Sequence, residues 1–298
     1  MDDLEDQGLP LTALAIAAGR AVETSRPDGL VADPFALALV EAARSHVDFP
    51  TSWPADPTAA SPLQRPLLLA SIYIAVRTRF IDDFLRSGPP TPQTVLLGAG
   101  LDTRAYRLPW AGGSRVFEID HANVLEFKAG VLGRLSAEPR CELSTVATDL
   151  SRPWREPLLS AGFDPHQPTS WILEGLLPYL DAAAQLSVLK EVAALSAPGS
   201  RAVIERAVPL PKTDEVEAKL RDFSLQTGLS MSEVLARADP PDPADLLTSA
   251  GWLCSGYSVQ ELCAAYNRAL SLDAPGLPAP SQEPASGQSR GGFVTALR

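Results

Sequence analysis

The sequence predicts an α/β fold, a doubly wound and mostly parallel sheet that carries a helical cap. Short runs rich in β-branched residues alternate with helical stretches from Gln93 onward, and this alternation is typical of parallel strands joined by helices. The first 90 residues have helical periodicity instead, so we expect them to cover the sheet. With 298 residues, 45% of them hydrophobic, the chain is long enough to bury a sizeable core.

The individual elements follow from local signals. In the cap we expect helices at 12–22, 35–43 and 71–85, with Asp33 as N-cap of the second and Pro34 at its first position. The expected strands are 94–97, 115–119, 143–148, 170–173, 201–204 and 293–296, and the helices between them include 123–136 and 182–195. Helical patterns at 214–227 and 232–238 predict a lid within 208–245, and 272–290 has the composition of a mobile surface loop.

Composition and charge exclude several classes of protein. Lys and Arg number 25 against 36 Asp and Glu, so the net charge is −11, which disfavours nucleic acid and anionic membrane surfaces as partners. The uncharged segment 7–19 is shorter than the roughly 20 residues that span a bilayer. Three cysteines without a CxxC pair and three scattered histidines argue against a disulfide scaffold and a metal site. We therefore expect a cytoplasmic protein without a metal.

Chemistry-bearing residues follow the strands at the sheet edge where α/β proteins bind ligands. Gly98 and Gly100 come directly after the first expected strand, where glycine permits a tight turn and a close approach of the backbone to a ligand. Asp120 ends the second strand twenty residues later, a position from which a carboxylate can accept hydrogen bonds from a ribose. Together they indicate an adenosine-containing cofactor.

Two further observations favour S-adenosylmethionine over a dinucleotide. Thr103 stands where a dinucleotide fingerprint needs a third small residue, and the adjacent Asp102 would repel a pyrophosphate. Asp149 and Leu150 follow the third strand and suit an adenine, since the carboxylate can accept from its amino group and the leucine can pack on its ring. Glu174 after the fourth strand adds an acid that fits a cationic ligand. An NAD(P)-dependent oxidoreductase is the alternative from another class.

The motifs resemble those of the class I S-adenosylmethionine-dependent methyltransferases of the leucine carboxyl methyltransferase group, which includes bacterial polyketide O-methyltransferases. The resemblance runs through nearly the whole chain, and the string GLDTRAYRL is specific to this group. The matching segments are AAGRAVET at 17–24, DPFA at 33–36, RTRFIDD at 77–83, LGAGLDTRAYRL at 97–108, FEID at 117–120, TDL at 148–150, EGLLPYL at 174–180 and FVTA at 293–296.

The resemblance implies a seven-stranded Rossmann-like methyltransferase sheet in one domain, divided into a cap (1–90), a cofactor-binding core (91–205), a lid (206–250) and C-terminal strands (251–298). It implies that Gly98 and Gly100 line the methionine part of S-adenosyl-L-methionine, that Asp120 binds the ribose, and that Asp149 with Leu150 binds the adenine. It further implies that Glu174 faces the amino group and that Arg77 pairs with the carboxylate, with Arg79 as the alternative. Tyr179 is a weaker candidate for contact with the acceptor, and Arg20 is a weaker candidate for the same cofactor carboxylate or for an acid of the acceptor.

The expected reaction is O-methylation, which we expect to need no assigned catalytic residue because alignment and exclusion of water suffice. A carboxylate acceptor is already ionised and needs no base, whereas a phenol would need one, and no Asp–His pair is evident. A carboxylate or phenol of a small natural product such as a polyketide is expected, with the C-terminus of a modified peptide as the alternative. Arg20 or Arg206 could hold an acceptor carboxylate. Oligomeric state is left open.

Overall fold

The computed structural model describes residues 9–43, 48–206, 218, 221, 241–272 and 292–298. Its strands are β1 (Gln93–Leu97), β2 (Arg115–Asp120), β3 (Glu142–Ala147), β4 (Thr169–Leu173), β5 (Arg201–Arg206), β6 (Leu253–Tyr257) and β7 (Gly292–Leu297). Its α-helices are α1 (Leu11–Thr24), α2 (Ala36–Ala42), α3 (Gln64–Arg86), α4 (Arg104–Arg107), α5 (Ala122–Arg134), α6 (Arg155–Ser160), α7 (Ala182–Ala194), α8 (Pro243–Ser249) and α9 (Val259–Ala265). Short 3₁₀ helices span Pro57–Ala59 and Leu177–Tyr179.

In the described residues the seven strands form one sheet in the order β3-β2-β1-β4-β5-β7-β6, so the expected seven-stranded sheet is confirmed. The strands β1 to β5 are parallel to one another, while β7 is antiparallel to both β5 and β6. The strand order reverses between β1 and β4, since β2 and β3 lie on one side and β5 on the other. A crevice forms outside the carboxyl ends of strands at such a reversal.

The central strands are buried on both faces, which explains their near-continuous hydrophobic sequences. Every residue of β1 and β4 is buried. Alternate residues point to opposite faces, so Val95 and Leu97 pack in the core on one side while Leu96 packs on the other. The expectation of a doubly wound sheet is therefore confirmed.

The helical cap is present, but two of its details were predicted wrongly. Helix α2 begins at Ala36, with Phe35 and not Asp33 as its N-cap. The Asp33 Oδ1 accepts from the Phe35 amide at 3.1 Å in the preceding turn, while its Oδ2 accepts from Arg20 Nε at 2.7 Å and from Thr103 Oγ1 at 2.8 Å. Helix α3 begins seven residues before the predicted start. Its first turns contain Gln64, Arg65 and Pro66, which hide the apolar periodicity that begins further on.

The edge strand β6 was absent from the strands predicted along the chain. Its sequence, Leu-Cys-Ser-Gly-Tyr, contains a glycine, and none of its residues is fully buried, so the usual apolar alternation is missing. The predicted lid helices at 214–227 and 232–238 and most of the predicted loop at 272–290 lie outside the described residues. No helix in the described ranges is both long and apolar enough to cross a membrane.

Candidate active site

A cavity of about 430 Å³ lies at the carboxyl ends of β1 and β4, with α1 of the cap forming one wall. Its volume is within the range of roughly 300–1,000 Å³ that is usual for small-molecule sites. Nine of the residues predicted from the sequence for cofactor or acceptor binding line it, whereas the alternatives Arg79 and Arg206 do not. The nine are Arg20, Arg77, Gly98, Gly100, Asp120, Asp149, Leu150, Glu174 and Tyr179.

The glycine turn after β1 forms the floor of the cavity. Gly98 and Gly100 have φ angles of 70° and 50°, a left-handed conformation that favours glycine. The turn is fastened to β2, because the amides of Gly98 and Ala99 both donate to the Ile119 carbonyl, at 2.9 and 3.0 Å. A Cβ atom at Gly100 would meet no atom within 4 Å. The backbone at Gly100 is therefore open to a ligand.

Asp120 is oriented by two backbone amides. Its Oδ2 accepts from the Gly100 amide at 2.7 Å, and its Oδ1 accepts from the His121 amide at the same distance. A carboxylate has about four lone-pair sites, so each oxygen keeps capacity for one more donor. The geometry suits a carboxylate that accepts hydrogen bonds from a vicinal diol.

Asp149 and Leu150 form the wall that follows β3. The Asp149 Oδ1 accepts from both the amide and the hydroxyl of Ser151, at 2.8 and 2.7 Å, and these hydrogen bonds lower the pKa of the exposed Asp149 carboxyl. Leu150 is buried and belongs to the core beneath the cavity. The pair thus presents an ionised acceptor beside an apolar surface, the combination expected for an adenine.

Glu174 is held by two arginines at the end of β4. Its Oε1 lies 2.8 Å from Arg77 Nε, and its Oε2 accepts from Arg104 Nη1 at 2.6 Å. Burial by itself would raise the pKa of this carboxyl, but the charges of Arg104 and Arg77 outweigh it and lower the pKa to about 2. Glu174 is therefore a carboxylate at neutral pH although little of it is exposed.

Arg77 lies on the face of α3 that meets the cavity, and Arg79 does not. Besides Glu174, the Arg77 guanidinium binds Glu205 at the end of β5, with Nη1 3.1 Å from Oε2. Arg79 pairs with Asp83 one turn along the same helix and is half-exposed, away from the cavity. The prediction that these two arginines point in different directions is confirmed.

Two of the weaker candidates also lie at the cavity, whereas a third does not. Arg20 of α1 donates through Nη2 to the Leu101 carbonyl at 2.7 Å, which ties the cap to the glycine turn. Tyr179 lies in the 3₁₀ helix after β4, where burial raises the pKa of its hydroxyl. Arg206, suggested as a holder of an acceptor carboxylate, pairs with Asp242 at 3.1 Å and does not line the cavity.

Sequence reasoning missed several buried charged residues behind the cavity wall. Arg104 was quoted as part of a motif but received no role, and Asp82 and Tyr73 received none. Glu205 ends β5 much as Glu174 follows β4, so the signal used for the other acids could have found it. Its carboxylate accepts from the Gly175 amide at 2.7 Å and from the Tyr73 hydroxyl.

The charge of the cavity fits S-adenosylmethionine, which carries an ammonium and a sulfonium besides one carboxylate. Four carboxylates line it against two arginines, and both arginines are engaged by carboxylates. The carboxylates are Asp102, Asp120, Asp149 and Glu174.

The same assignment follows from comparison with known proteins. A family model described as leucine carboxyl methyltransferase matches residues 13–193, more than half of the chain. A relative from Saccharopolyspora erythraea is 41% identical over 266 residues, covering 89% of this chain and 90% of its own. One from Mycolicibacterium smegmatis is 41% identical over 270 residues, covering 84% and 86%. Both are named S-adenosyl-L-methionine-dependent methyltransferases.

A solved structure supports the fold. A DUF574 family protein from Streptomyces avermitilis superimposes with a TM-score of 0.52 at 13% identity, covering 87% of this chain and 94% of its own. The oxidoreductase alternative is excluded, because the family model and the relatives identify a methyltransferase. The chain belongs to the leucine carboxyl methyltransferase family and is an S-adenosyl-L-methionine-dependent methyltransferase.

Proposed function

We propose that the chain methylates a carboxylate oxygen of a small, largely apolar molecule such as a polyketide-type natural product. The carboxylate oxygen would form a bond to the methyl carbon as the carbon–sulfur bond breaks and leaves its electron pair on sulfur. The products are a methyl ester and S-adenosylhomocysteine. S-Adenosylmethionine supplies an activated methyl group for this displacement, so the protein has to align the two partners and exclude water.

The observation that carries the proposal is that, in the described residues, each acid of the cavity wall is already held by an arginine or by hydrogen bonds, and the histidine that lines the cavity, His121, neighbours the proposed ribose site. Glu174 is ion-paired to two arginines, and Asp102 pairs with Arg104. Asp120 accepts from two amides, and His121 lies beside it at the start of α5, at the ribose end. An acceptor that is already ionised at neutral pH needs no base, whereas a phenol or alcohol does.

We infer an apolar acceptor from the part of the cavity wall that has no proposed role in cofactor binding. The first turns of α1 face the segment that follows Glu174 across the cavity, and both contribute apolar surface. The residues concerned are Pro10, Ala13, Ile16, Leu176 and Leu180. Apolar walls with few polar groups select by shape and burial of hydrophobic surface. In the proposed arrangement Tyr179, beside them, contacts the acceptor.

The test is product analysis with a panel of apolar acids, phenols and short peptides, using S-adenosylmethionine labelled in the methyl group. A methyl ester releases methanol on mild alkaline hydrolysis, whereas an aryl ether, an N-methyl or a C-methyl product keeps the label. Activity toward an acid should be nearly constant from about pH 6 to 8, since a carboxyl of pKa near 4 stays ionised. Label that survives hydrolysis would refute the carboxylate proposal and leave the methyltransferase assignment intact. Glu174→Gln, in which we expect cofactor binding to be impaired, is the control and should form little labelled product.

A further inference from the structure

Arg104 is a buried residue of α4 that contacts three carboxylates without lining the cavity. It is 1% exposed. Its Nε donates to Asp82 Oδ1 at 2.7 Å, and its Nη1 binds both Glu174 and Asp102. Its own amide donates to Asp102 Oδ1 at 2.6 Å, which fixes the start of the helix. Asp82 and Asp102 thus hold the guanidinium in place beside Glu174.

The two oxygens of Glu174 are divided between the two arginines. Arg77, from α3 of the cap, forms an ion pair with Oε1, and Arg104, from the helix that follows the glycine turn, forms one with Oε2. Each oxygen keeps a further lone-pair direction, and the side chain lines the cavity. Contacts from both sides leave the carboxylate little freedom to rotate, so its remaining lone pairs have a set direction.

The buried network around Glu174 carries one more negative than positive charge in the described residues. Three arginines contact four carboxylates, and two of the carboxylates, Glu174 and Asp102, reach the cavity. The arginines are Arg77, Arg104 and Arg107, and the other carboxylates are Asp82 and Glu205. An excess charge in a buried place is costly unless it is paired. A ligand ammonium at Glu174 would balance it.

We infer that Arg104 is a positioning residue that orients Glu174 toward the ammonium of the bound cofactor. The inference rests on the proposed contact between Glu174 and that ammonium, and it gives a role to an arginine that touches neither cofactor nor acceptor. Arg104 also joins α3, through Asp82, to the turn that carries the cofactor glycines. Both elements are needed to place its guanidinium.

The test compares two ligands in Arg104→Gln by titration calorimetry. S-Adenosylhomocysteine has the amino-acid part, and methylthioadenosine lacks it. We expect the Kd of S-adenosylhomocysteine to rise at least about tenfold, as for loss of a charge-assisted hydrogen bond, and that of methylthioadenosine to stay within about twofold. Equal weakening of both ligands, or of neither, would overturn the inference.

Arg107→Gln is the matched control. Arg107 also binds Asp82 from a buried position, with Nη2 2.9 Å from Oδ1, but it makes no contact with Glu174. It should lower stability and leave the preference between the two ligands unchanged. A loss confined to S-adenosylhomocysteine in this variant would overturn the inference, because the ligand preference would then depend on the network as a whole and not on the contact between Arg104 and Glu174. If Arg104→Gln does not fold, Arg104→Lys is the test variant, because lysine keeps the charge but cannot bridge three carboxylates. The loss of affinity in Arg104→Lys should be smaller and again confined to S-adenosylhomocysteine.

A pH series adds a second readout. Wild-type affinity for S-adenosylhomocysteine should be constant from pH 8 to 6, whereas in Arg104→Gln it should fall on acidification as Glu174 gains a proton. The charged or titratable groups that act on Glu174 are Arg77, Asp82 and Tyr73 from α3, Arg104 and Asp102 near the glycine turn, Arg20 from α1 and Glu205 from β5. With Arg104 removed, Asp102 loses its ion-pair partner and also opposes ionisation of Glu174.

Glu174→Gln separates this inference from the cofactor assignment. If Glu174→Gln leaves the Kd of S-adenosylhomocysteine unchanged, the contact between Glu174 and the ammonium is wrong, and the positioning role goes with it. If Glu174→Gln weakens binding while Arg104→Gln does not, the contact stands and only the role of Arg104 is refuted.

Discussion

Arg77 Nε and Glu174 Oε1 lie 2.8 Å apart, so a helix of the cap and the end of a central strand meet in a buried ion pair at the cavity wall. Helix α3 supplies the arginine, and β4 leads into the glutamate. The Glu205 carboxylate binds the same guanidinium from β5. The shape of the cavity wall and the packing of the cap on the sheet therefore depend on the same side chains.

The two arginines of α3 should differ sharply when replaced. Arg77→Ala leaves the buried Glu205 without its cation and Glu174 with Arg104 alone, and it should cost about 3–5 kcal/mol of unfolding free energy. Arg79→Ala removes a half-exposed pair worth at most about 1 kcal/mol. Arg77→Lys keeps the charge and should fold, but with weaker binding of S-adenosylhomocysteine. Urea unfolding and calorimetry check both points. Intact binding in Arg77→Lys together with lost binding in Arg79→Ala would show that the wrong residue had been chosen.

Asp120→Ala should weaken cofactor binding by about 1.5–3 kcal/mol, because it removes a charged acceptor from the proposed ribose site. The Gly100 amide also loses its partner, so the turn should become less ordered. Calorimetry with S-adenosylhomocysteine measures the loss. Asp56→Ala, which removes an exposed aspartate that caps the first 3₁₀ helix, is the control and should bind normally. Unchanged affinity in Asp120→Ala would rule out the ribose contact.

The two cavity glycines should respond differently to alanine. In Gly98→Ala the new Cβ would lie 3.1 Å from Leu176 Cδ1 at a positive φ, so we expect a loss of about 1–2 kcal/mol of stability. Gly100 also has a positive φ, so Gly100→Ala should cost a similar amount of backbone strain, but its Cβ meets no protein atom and enters the cavity. We therefore expect an additional loss of ligand affinity, about tenfold or 1.4 kcal/mol, in this variant. Thermal unfolding with and without S-adenosylhomocysteine distinguishes them. Normal ligand affinity in Gly100→Ala would mean that the cofactor does not approach this turn.

Stability should fall on acidification below about pH 4.5. The pKa of Glu174 is lowered from 4.5 to about 2, and those of Asp82 and Asp33 are lowered from 3.8, because nearby arginines outweigh the effect of burial. Each group binds fewer protons in the folded than in the unfolded state, so its contribution is present above the unfolded pKa and is lost as pH falls through the folded one. Urea unfolding at pH 6, 4 and 3 measures this. Glu174→Gln should show a shallower decline, and a constant free energy across that range would contradict the prediction.

Much of the fold and of the cavity lining could be predicted from the sequence because the signals are local. The hydrophobic runs of β1 and β4 are continuous since both faces are buried, and the turn at Gly98 and Gly100 needs glycine for its backbone conformation. Parallel strands bring their carboxyl ends to one edge, so the sequence alone places Asp120 and Glu174 close together. The family motifs supplied Arg77.

The partners of these residues were decided by tertiary structure alone. Asp33 has the sequence context of an N-cap, yet its carboxylate binds Arg20 and Thr103. Arg104 contacts Asp82 and Glu174 from different elements, and no local pattern relates three residues so far apart in the chain. Burial is the physical reason: a charge removed from water requires a partner, and the packing of α3 and α4 against the sheet determines which opposite charges are within reach.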